Sequence, residues 1–471
     1  MSLDISRWNL RIRSSAAPAY RAIADVIGED IDSGRLVAHQ RLPPVRELAQ
    51  RLGRNFTTVA RGYAEAARRG LIVSRPGTGT RVAERVRTGA VRRAGPAGLP
   101  DMMMNMAPEP EDSALTARLW QGFAGIVDRQ EATTLWSLLR YDEAGGPPED
   151  RAAGAHWLSA HLPEVSAERV LVFPGVQAAL LALLMTLARP GDRVACEAIT
   201  YSGLKGLAAQ LGIELIGLHS DRQGLDPDAF AALCATDPPA ALYCNPTVQN
   251  PTTATLPAER RRAIADIARR YNVPIIEDDP YRPLTPEAPP PLAALAPELC
   301  FYATGLAKCL GAGLRVAYVA VPQARYQARL AAAMRSTMVM PVPFMVRLAT
   351  QWLQDGTVDV AAEAIRRESA QRQRLAADIL AGTGFAAAPN GFHLWLPLPA
   401  HSSAARFAAD LRARGCAVVA SDAFSVVGAP KPAVRVCLGG PVSRSGCRDM
   451  LQAVAAELVA ATDGVAARAT D

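Results

Sequence analysis

From about Asp112 to about Val321 the sequence alternates short apolar runs with stretches of helical periodicity, and this alternation constrains the fold more than any other feature. The runs Val170-Phe173, Arg193-Cys196, Glu214-Leu218, Ala240-Cys244 and Val273-Ile276 have strand length. The intervening stretches Val176-Leu187, Leu204-Leu211, Asp226-Cys234 and Glu259-Arg270 repeat apolar residues at helical spacing. Apolar strands joined through helices predict an α/β domain built on a mostly parallel sheet, buried on both faces. After about Pro322 the pattern is mainly helical until Gly391-Leu398 and Val434-Leu438, which predicts a smaller C-terminal α+β lobe.

The chain of 471 residues has room for more than that domain. Residues 18–84 read as a separate compact unit. Helices are expected over Ala19-Ile31, Val45-Leu52 and Thr57-Arg69, punctuated by Gly34, Pro43-Pro44, Gly53 and Gly70. Leu71-Val82, split by Pro76-Gly77-Thr78-Gly79, reads as a two-stranded wing. The resulting division is 1–84 for a winged helix-turn-helix, 85–106 for a linker without a periodic apolar face, and 107–471 for the large domain.

Charge follows the same division. Residues 1–98 hold 18 Arg, no Lys and 8 acidic residues, a net of +10, whereas the whole chain nets +6. A basic segment on a mildly acidic body points to a polyanionic partner for the N-terminal unit alone. No apolar run approaches the roughly 18 residues a membrane helix needs, and Met1-Leu10 lacks a signal peptide's apolar core. A cytoplasmic protein with no membrane partner is expected. The eight cysteines show neither CxxC pairs nor metal-ligand spacing, so they are read as small buried hydrophobes and no metal site is assigned.

Of 51 basic residues only three are lysine: Lys205, Lys308 and Lys431. Where arginine serves almost everywhere, a retained lysine can mark a place where an amine is needed, as for a Schiff base; Lys205 and Lys431 read instead as surface positions. Several other residues at the ends of expected strands suit a phosphorylated, aldehyde-bearing heterocycle such as pyridoxal phosphate (PLP). Gly175 and Val176 open a helix whose first N–H groups can meet a phosphate. Tyr201 can stack on a ring, and Asn250 and Tyr281 can hydrogen bond to one. Asp278 ends an apolar strand, where a carboxylate stays charged only if paired, as with a pyridinium. Open α/β sheets bind ligands where such strand ends converge.

In the N-terminal unit, Val59 and Tyr63 are spaced to face the core, leaving Thr57, Thr58 and Arg61 outward on the candidate recognition helix. Arg46 on the preceding helix, and Gly77 and Thr78 at the wing tip, are the other candidate DNA contacts. The segments Tyr20-Ala24, Ile31-Leu36, Arg41-Ala49, Gly70-Ile72 and Ser74-Thr80 together resemble the winged helix of GntR-family regulators. Members often carry arginine where this chain has Phe56.

The large domain resembles fold-type I aminotransferases over roughly residues 105–465. That resemblance implies Lys308 as the Schiff-base lysine, Asp278 on the pyridine nitrogen, Asn250 and Tyr281 on the ring hydroxyl and Tyr201 stacked on the ring. It implies Gly175, Val176 and Arg315 on the phosphate and Arg435 on an effector carboxylate. The chain departs from the family at Gly305 and Ala307, where hydroxyl residues are common, and at Thr253, where glycine is usual.

A winged helix fused to such a domain is similar to the MocR subfamily of transcriptional regulators. The resemblance implies a homodimer that binds a double-stranded operator and senses PLP, alone or joined to an amino acid or amine. Two other readings stay open. One is an active aminotransferase carrying a DNA-binding appendage; the other is a DNA-binding protein whose large domain only dimerises.

Overall fold

The computed structural model describes residues 5–14, 17–32, 35–36, 40–75, 79–82, 102–128 and 135–466. The chain forms two compact units, Met1–Ala94 and Gly95–Asp471.

The first unit is helical with a small hairpin. Helices α1 (Ile5–Ser14), α2 (Ala19–Asp32), α3 (Val45–Leu52) and α4 (Phe56–Arg68) precede strands β1 (Ile72–Arg75) and β2 (Gly79–Val82). Pro43-Pro44 blocks any helix before α3, and Gly53 ends α3 in the left-handed region at φ 59°. Asn55 caps α4, its side chain accepting the Thr58 N–H at 3.0 Å. Ile23, Ile27, Leu48, Val59 and Tyr63 fill the core between α2, α3 and α4. Gly62 permits the close α2–α4 crossing, because a Cβ there would lie 2.9 Å from Ile23. Strands β1 and β2 pair antiparallel from Ile72↔Val82 to Arg75↔Gly79. Helix α1 was not expected. Trp8 anchors it, fully buried, with Nε1–H donating to Asp30 at 2.7 Å.

The second unit is built on a seven-stranded sheet. Its strands are β3 (Val170–Phe173), β4 (Arg193–Glu197), β5 (Glu214–Leu218), β6 (Ala241–Cys244), β7 (Ile275–Asp278), β8 (Cys300–Gly305) and β9 (Ala317–Ala320). The order is β3-β9-β8-β7-β6-β4-β5. Pairs β8/β7, β7/β6, β6/β4 and β4/β5 are parallel, while β9 runs antiparallel to both β8 and β3. The expected mostly parallel sheet is present, with β9 as its one reversed strand. Apolar residues cover both faces, as two separate core clusters record.

The smaller lobe carries a four-stranded antiparallel sheet of β10 (Ala386–Ala387), β11 (His393–Pro397), β12 (Val419–Ala420) and β13 (Ala433–Cys437), in the order β10-β11-β13-β12. Helices Thr357–Ile379 and Arg444–Ala466 pack beside it. All eight cysteines are buried and free. No described helix is long and apolar enough to cross a membrane.

The sequence places a linker over residues 85–106, but its last part belongs to the large unit. Met102 is fully buried, and its carbonyl accepts the Cys437 N–H at 2.9 Å, which lays Met102–Met106 along the smaller lobe. Backbone pairing of this kind leaves no apolar period in the sequence, so the segment reads as a linker there.

Candidate functional site

Strands β3, β4, β6, β7 and β8 share one direction, so their C-terminal ends open on the same edge of the sheet. The loops leaving that edge hold most of the residues singled out in the sequence, and the lobe sheet adds Arg435.

Asp278 is the last residue of β7 and is buried. Its Oδ2 accepts the Tyr243 hydroxyl at 2.7 Å, while its Oδ1 is buried with no partner. Burial pushes the carboxyl from 3.8 up to about 7; the Tyr243 hydrogen bond and the Lys308 charge oppose that rise. An orphaned, buried carboxylate oxygen is suited to a protonated ring nitrogen, which would supply both the donor and the countercharge.

Lys308 lies in the turn after β8. Its Nζ sits 5.9 Å from the Tyr281 ring centroid and 5.7 Å from that of Phe392, and donates to the backbone carbonyl of Asn105. Burial pulls the ammonium from 10.5 down to about 8, so near neutral pH about a tenth is the free amine needed to attack an aldehyde, far more than for an exposed lysine. Lys205 is placed differently: its Nζ donates to the carbonyls of Asp422 and Ala423.

The loop after β6 is tied to this centre. Asn245 Nδ2 donates to the Asp278 carbonyl, and Asn245 Oδ1 accepts the Asn250 N–H at 2.7 Å. Asn250, which precedes a cis peptide bond to Pro251, presents Oδ1 to Arg435 Nη1 at 2.7 Å. Arg435 comes from β13, is buried, and also donates through Nη2 to the Met103 carbonyl, while its Nε is buried without a partner. Asn250 and Arg435 thus meet from two lobes, as an effector carboxylate would require.

The Tyr281 hydroxyl faces Asn105 Oδ1 at 2.8 Å and His393 Nδ1 at 3.1 Å. His393 Nε2 lies 3.2 Å from the Gln249 carbonyl, which can only accept. Burial drives the imidazole down to about 3, so it is neutral, with Nε2–H donating to that carbonyl and the single Tyr281 proton shared between Nδ1 and Asn105 Oδ1. The sequence reading missed both His393 and Asn105. A lone histidine on a strand and an asparagine in an apparent linker give no local signal.

Gly175 turns at φ 92° and is the N-cap of helix Val176–Leu187, so the first N–H groups of that helix point to the open edge. A Cβ on Gly175 would fall 2.5 Å from Nη2 of Arg315, which places the guanidinium against the helix start. Arg315 itself adopts φ 53° and donates to the Pro174 carbonyl at 3.3 Å. Helix N–H groups and a guanidinium form a phosphate cradle. Tyr201 is half-buried at the start of helix Ser202–Leu211.

The departure at Gly305 has a steric cause. A Cβ there would meet the Val316 carbonyl and the Ala317 side chain at 2.9 Å. Thr304 does not replace the lost hydroxyl, because its Oγ1 donates inward to the Asp279 carbonyl at 2.9 Å. Asp278, Lys308 and the Gly175–Arg315 cradle therefore fit PLP. Lys308 would hold its aldehyde carbon and Asp278 its ring nitrogen, and such a group supplies an electron sink when bound.

On the N-terminal unit, Arg46, Thr57 and Arg61 are exposed and Thr58 is half-buried, whereas Val59 and Tyr63 point into the core. Arg61 stacks over the Tyr20 ring at 4.4 Å. The Tyr63 hydroxyl donates to the Pro43 carbonyl at 2.8 Å and joins α4 to the turn before α3. Gly77 and Thr78 lie outside the described residues. Phe56, the first residue of α4, is also exposed.

Comparison with known proteins matches residues 128–454 to aminotransferase class I and II, and residues 19–82 to bacterial regulatory proteins of the gntR family. An uncharacterized HTH-type transcriptional regulator, YdeF of Bacillus subtilis (strain 168), is 30% identical over 92% of this chain and 93% of its own length. The probable rhizopine catabolism regulatory protein MocR of Rhizobium meliloti is 28% identical over 66% of each chain. Among solved structures, LysN, an α-aminoadipate aminotransferase from Thermus thermophilus complexed with N-(5'-phosphopyridoxyl)-L-leucine, superposes with a TM-score of 0.70. It is 21% identical and spans 78% of this chain and 94% of its own.

Proposed function

The chain belongs to the aminotransferase class I and II family and carries a gntR-family helix-turn-helix, and from that premise we propose that it is a PLP-dependent, DNA-binding transcriptional regulator of the MocR kind. Its effector is PLP or PLP joined to an amino acid or amine. The observation that carries this reading is the buried, partnerless Oδ1 of Asp278, held in one site with a partly deprotonated Lys308 and the Gly175–Arg315 cradle. Apart from a positively charged ring nitrogen, little would compensate a carboxylate buried there.

In this reading Lys308 binds the aldehyde, Asp278 the ring nitrogen, Asn250 and Tyr281 the ring hydroxyl, and Tyr201 stacks on the ring. Gly175, Val176 and Arg315 take the phosphate, and Arg435 takes the effector's carboxylate. Arg46, Thr57, Thr58 and Arg61 contact the operator, with Gly77 and Thr78 at the wing tip. A homodimer through the large units is part of this reading, and the exposed apolar side chains Trp120, Trp136, Leu139 and Tyr141 of that unit support it. A two-fold dimer carries two helix-turn-helix units for two half-sites.

Arg435 and Asn250, already joined at 2.7 Å, also favour a second reading as an aminotransferase. Sustained conversion of an amino acid to its keto acid, with a second keto acid as acceptor, would support it. The proposal itself is tested by the absorption spectrum of the full chain with added PLP, in wild type and Lys308→Ala. A long-wavelength band present only in the wild type supports it, and no band in either refutes the cofactor.

A further inference from the structure

Met102–Met106 is the segment of the large unit that follows the linker stretch, and it lies across the effector site rather than beside it. Its carbonyls take the donors that a ligand would use. Arg435 Nη2 donates to the Met103 carbonyl, and Lys308 Nζ donates to the Asn105 carbonyl. The Asn105 side chain takes the Tyr281 hydroxyl at 2.8 Å, leaving its Nδ2 buried and unpartnered. The segment is seated by fully buried Met102, whose Sδ is 3.8 Å from Cys416 Sγ, and by the bond from Cys437 N–H. It passes so close to Gly439 that a Cβ there would fall 1.8 Å from the Met106 carbonyl oxygen.

We propose that Met102–Met106 is an internal stand-in for the effector, which the effector displaces, so that occupancy of the site is passed directly to the chain leading to the DNA-binding unit. The proposal rests on the PLP reading above and specifies how that site is regulated. Two chemical events release the strap. Condensation of the Lys308 amine with the PLP aldehyde expels one water and leaves the nitrogen at most one N–H, withdrawing donors from the Asn105 carbonyl. A carboxylate arriving at Arg435 carries a full charge and outcompetes the neutral Met103 carbonyl for the guanidinium. PLP alone triggers the first event, and a carboxylate-bearing amine adduct of PLP triggers the second. A ligand shifts the strap only through such differential contacts.

The strap's own methionines report its position. Met102 is fully buried and Met104 is 61% exposed, so hydrogen peroxide footprinting read by mass spectrometry has a probe and an internal control within one segment. The full chain is treated alone, with PLP, with the reduced adduct of PLP and glycine, and with the reduced adduct of PLP and ethylamine, which lacks the carboxylate. Ligand binding is followed separately, by the PLP band and by calorimetry of the adducts. We expect the Met102 oxidation rate to rise with PLP and to rise with the glycine adduct by about tenfold or more, the factor for losing one hydrogen bond from the charged Arg435 guanidinium. The ethylamine adduct should have less effect than the glycine adduct, and Met104 should not change. Gly439→Val should expose Met102 without any ligand; the wild-type comparison stands whether or not that variant folds. Ligands that bind while Met102 stays protected overturn the strap mechanism and leave the PLP reading intact. Failure of PLP and both adducts to bind overturns both.

Discussion

Replacing Asp278 with asparagine separates what the carboxylate costs the free protein from what it contributes to a bound cofactor. Burial lifts this carboxyl from 3.8 to about 7. Between those values the unfolded chain has lost the proton that the folded chain still holds. Wild-type stability therefore falls as pH rises through this window and is level above it. About three pH units at about 1.4 kcal/mol each give a cost on the order of 4 kcal/mol above neutral pH. Asparagine removes the charge but brings amide donors into a site that lacks an acceptor, at about 1–3 kcal/mol. The cofactor-free variant should thus exceed wild type by about 1–3 kcal/mol at about pH 8 and fall below it at about pH 4. With PLP the order reverses. Loss of a charge-assisted hydrogen bond of about 1.5–3 kcal/mol weakens PLP binding about 10- to 150-fold. Urea denaturation at several pH values, with and without PLP, reads both effects. A variant no more stable than wild type at high pH, or one that binds PLP equally well, would refute the argument.

Three further outcomes are expected. Asn55→Ala removes the cap of α4, whose side chain holds the Thr58 N–H; it should cost the N-terminal unit about 0.5–2 kcal/mol, seen as an earlier first transition in a thermal melt. Gly175→Ala places a Cβ 2.5 Å from the Arg315 guanidinium at a residue with φ 92°, so a PLP titration should show weaker binding while far-UV circular dichroism is retained. Arg46→Ala removes an exposed cation at the start of α3; it should lower the slope of log K against log salt for DNA by about 1 and leave the PLP band unchanged.

The parts of the fold that depend on side-chain pattern were legible in the sequence. Strands β3 to β7 announce themselves as apolar runs, and Pro43-Pro44, Gly53 and Gly70 punctuate the helix-turn-helix. Lys308 and Asp278 stand out because an amine in an arginine-rich chain and a carboxylate ending a buried strand both demand a chemical reason. Strand β9 was not read, since Ala317–Ala320 is a four-residue run between a charged turn and a further apolar stretch. Helix α1 was missed because it is anchored by one short pair, Trp8 and Ile12, whose partners, such as Asp30, are remote in sequence. The strap was hidden for a different reason. Its contacts with Arg435 and Lys308 use backbone carbonyls, which every residue has, so nothing in Met102–Met106 distinguishes it from linker.

The central claim is that the PLP site and the DNA-binding unit are coupled, and the most direct test is operator affinity with and without PLP. Duplexes selected in vitro with the full wild-type chain would be titrated by fluorescence anisotropy at fixed salt, alongside Lys308→Ala. The account predicts that PLP, or PLP with an amino acid, changes wild-type affinity by about 5- to 150-fold, the usual range of such coupling, and that PLP alone leaves Lys308→Ala nearly unaffected. Equal affinity in all conditions, with the PLP band present, would contradict it.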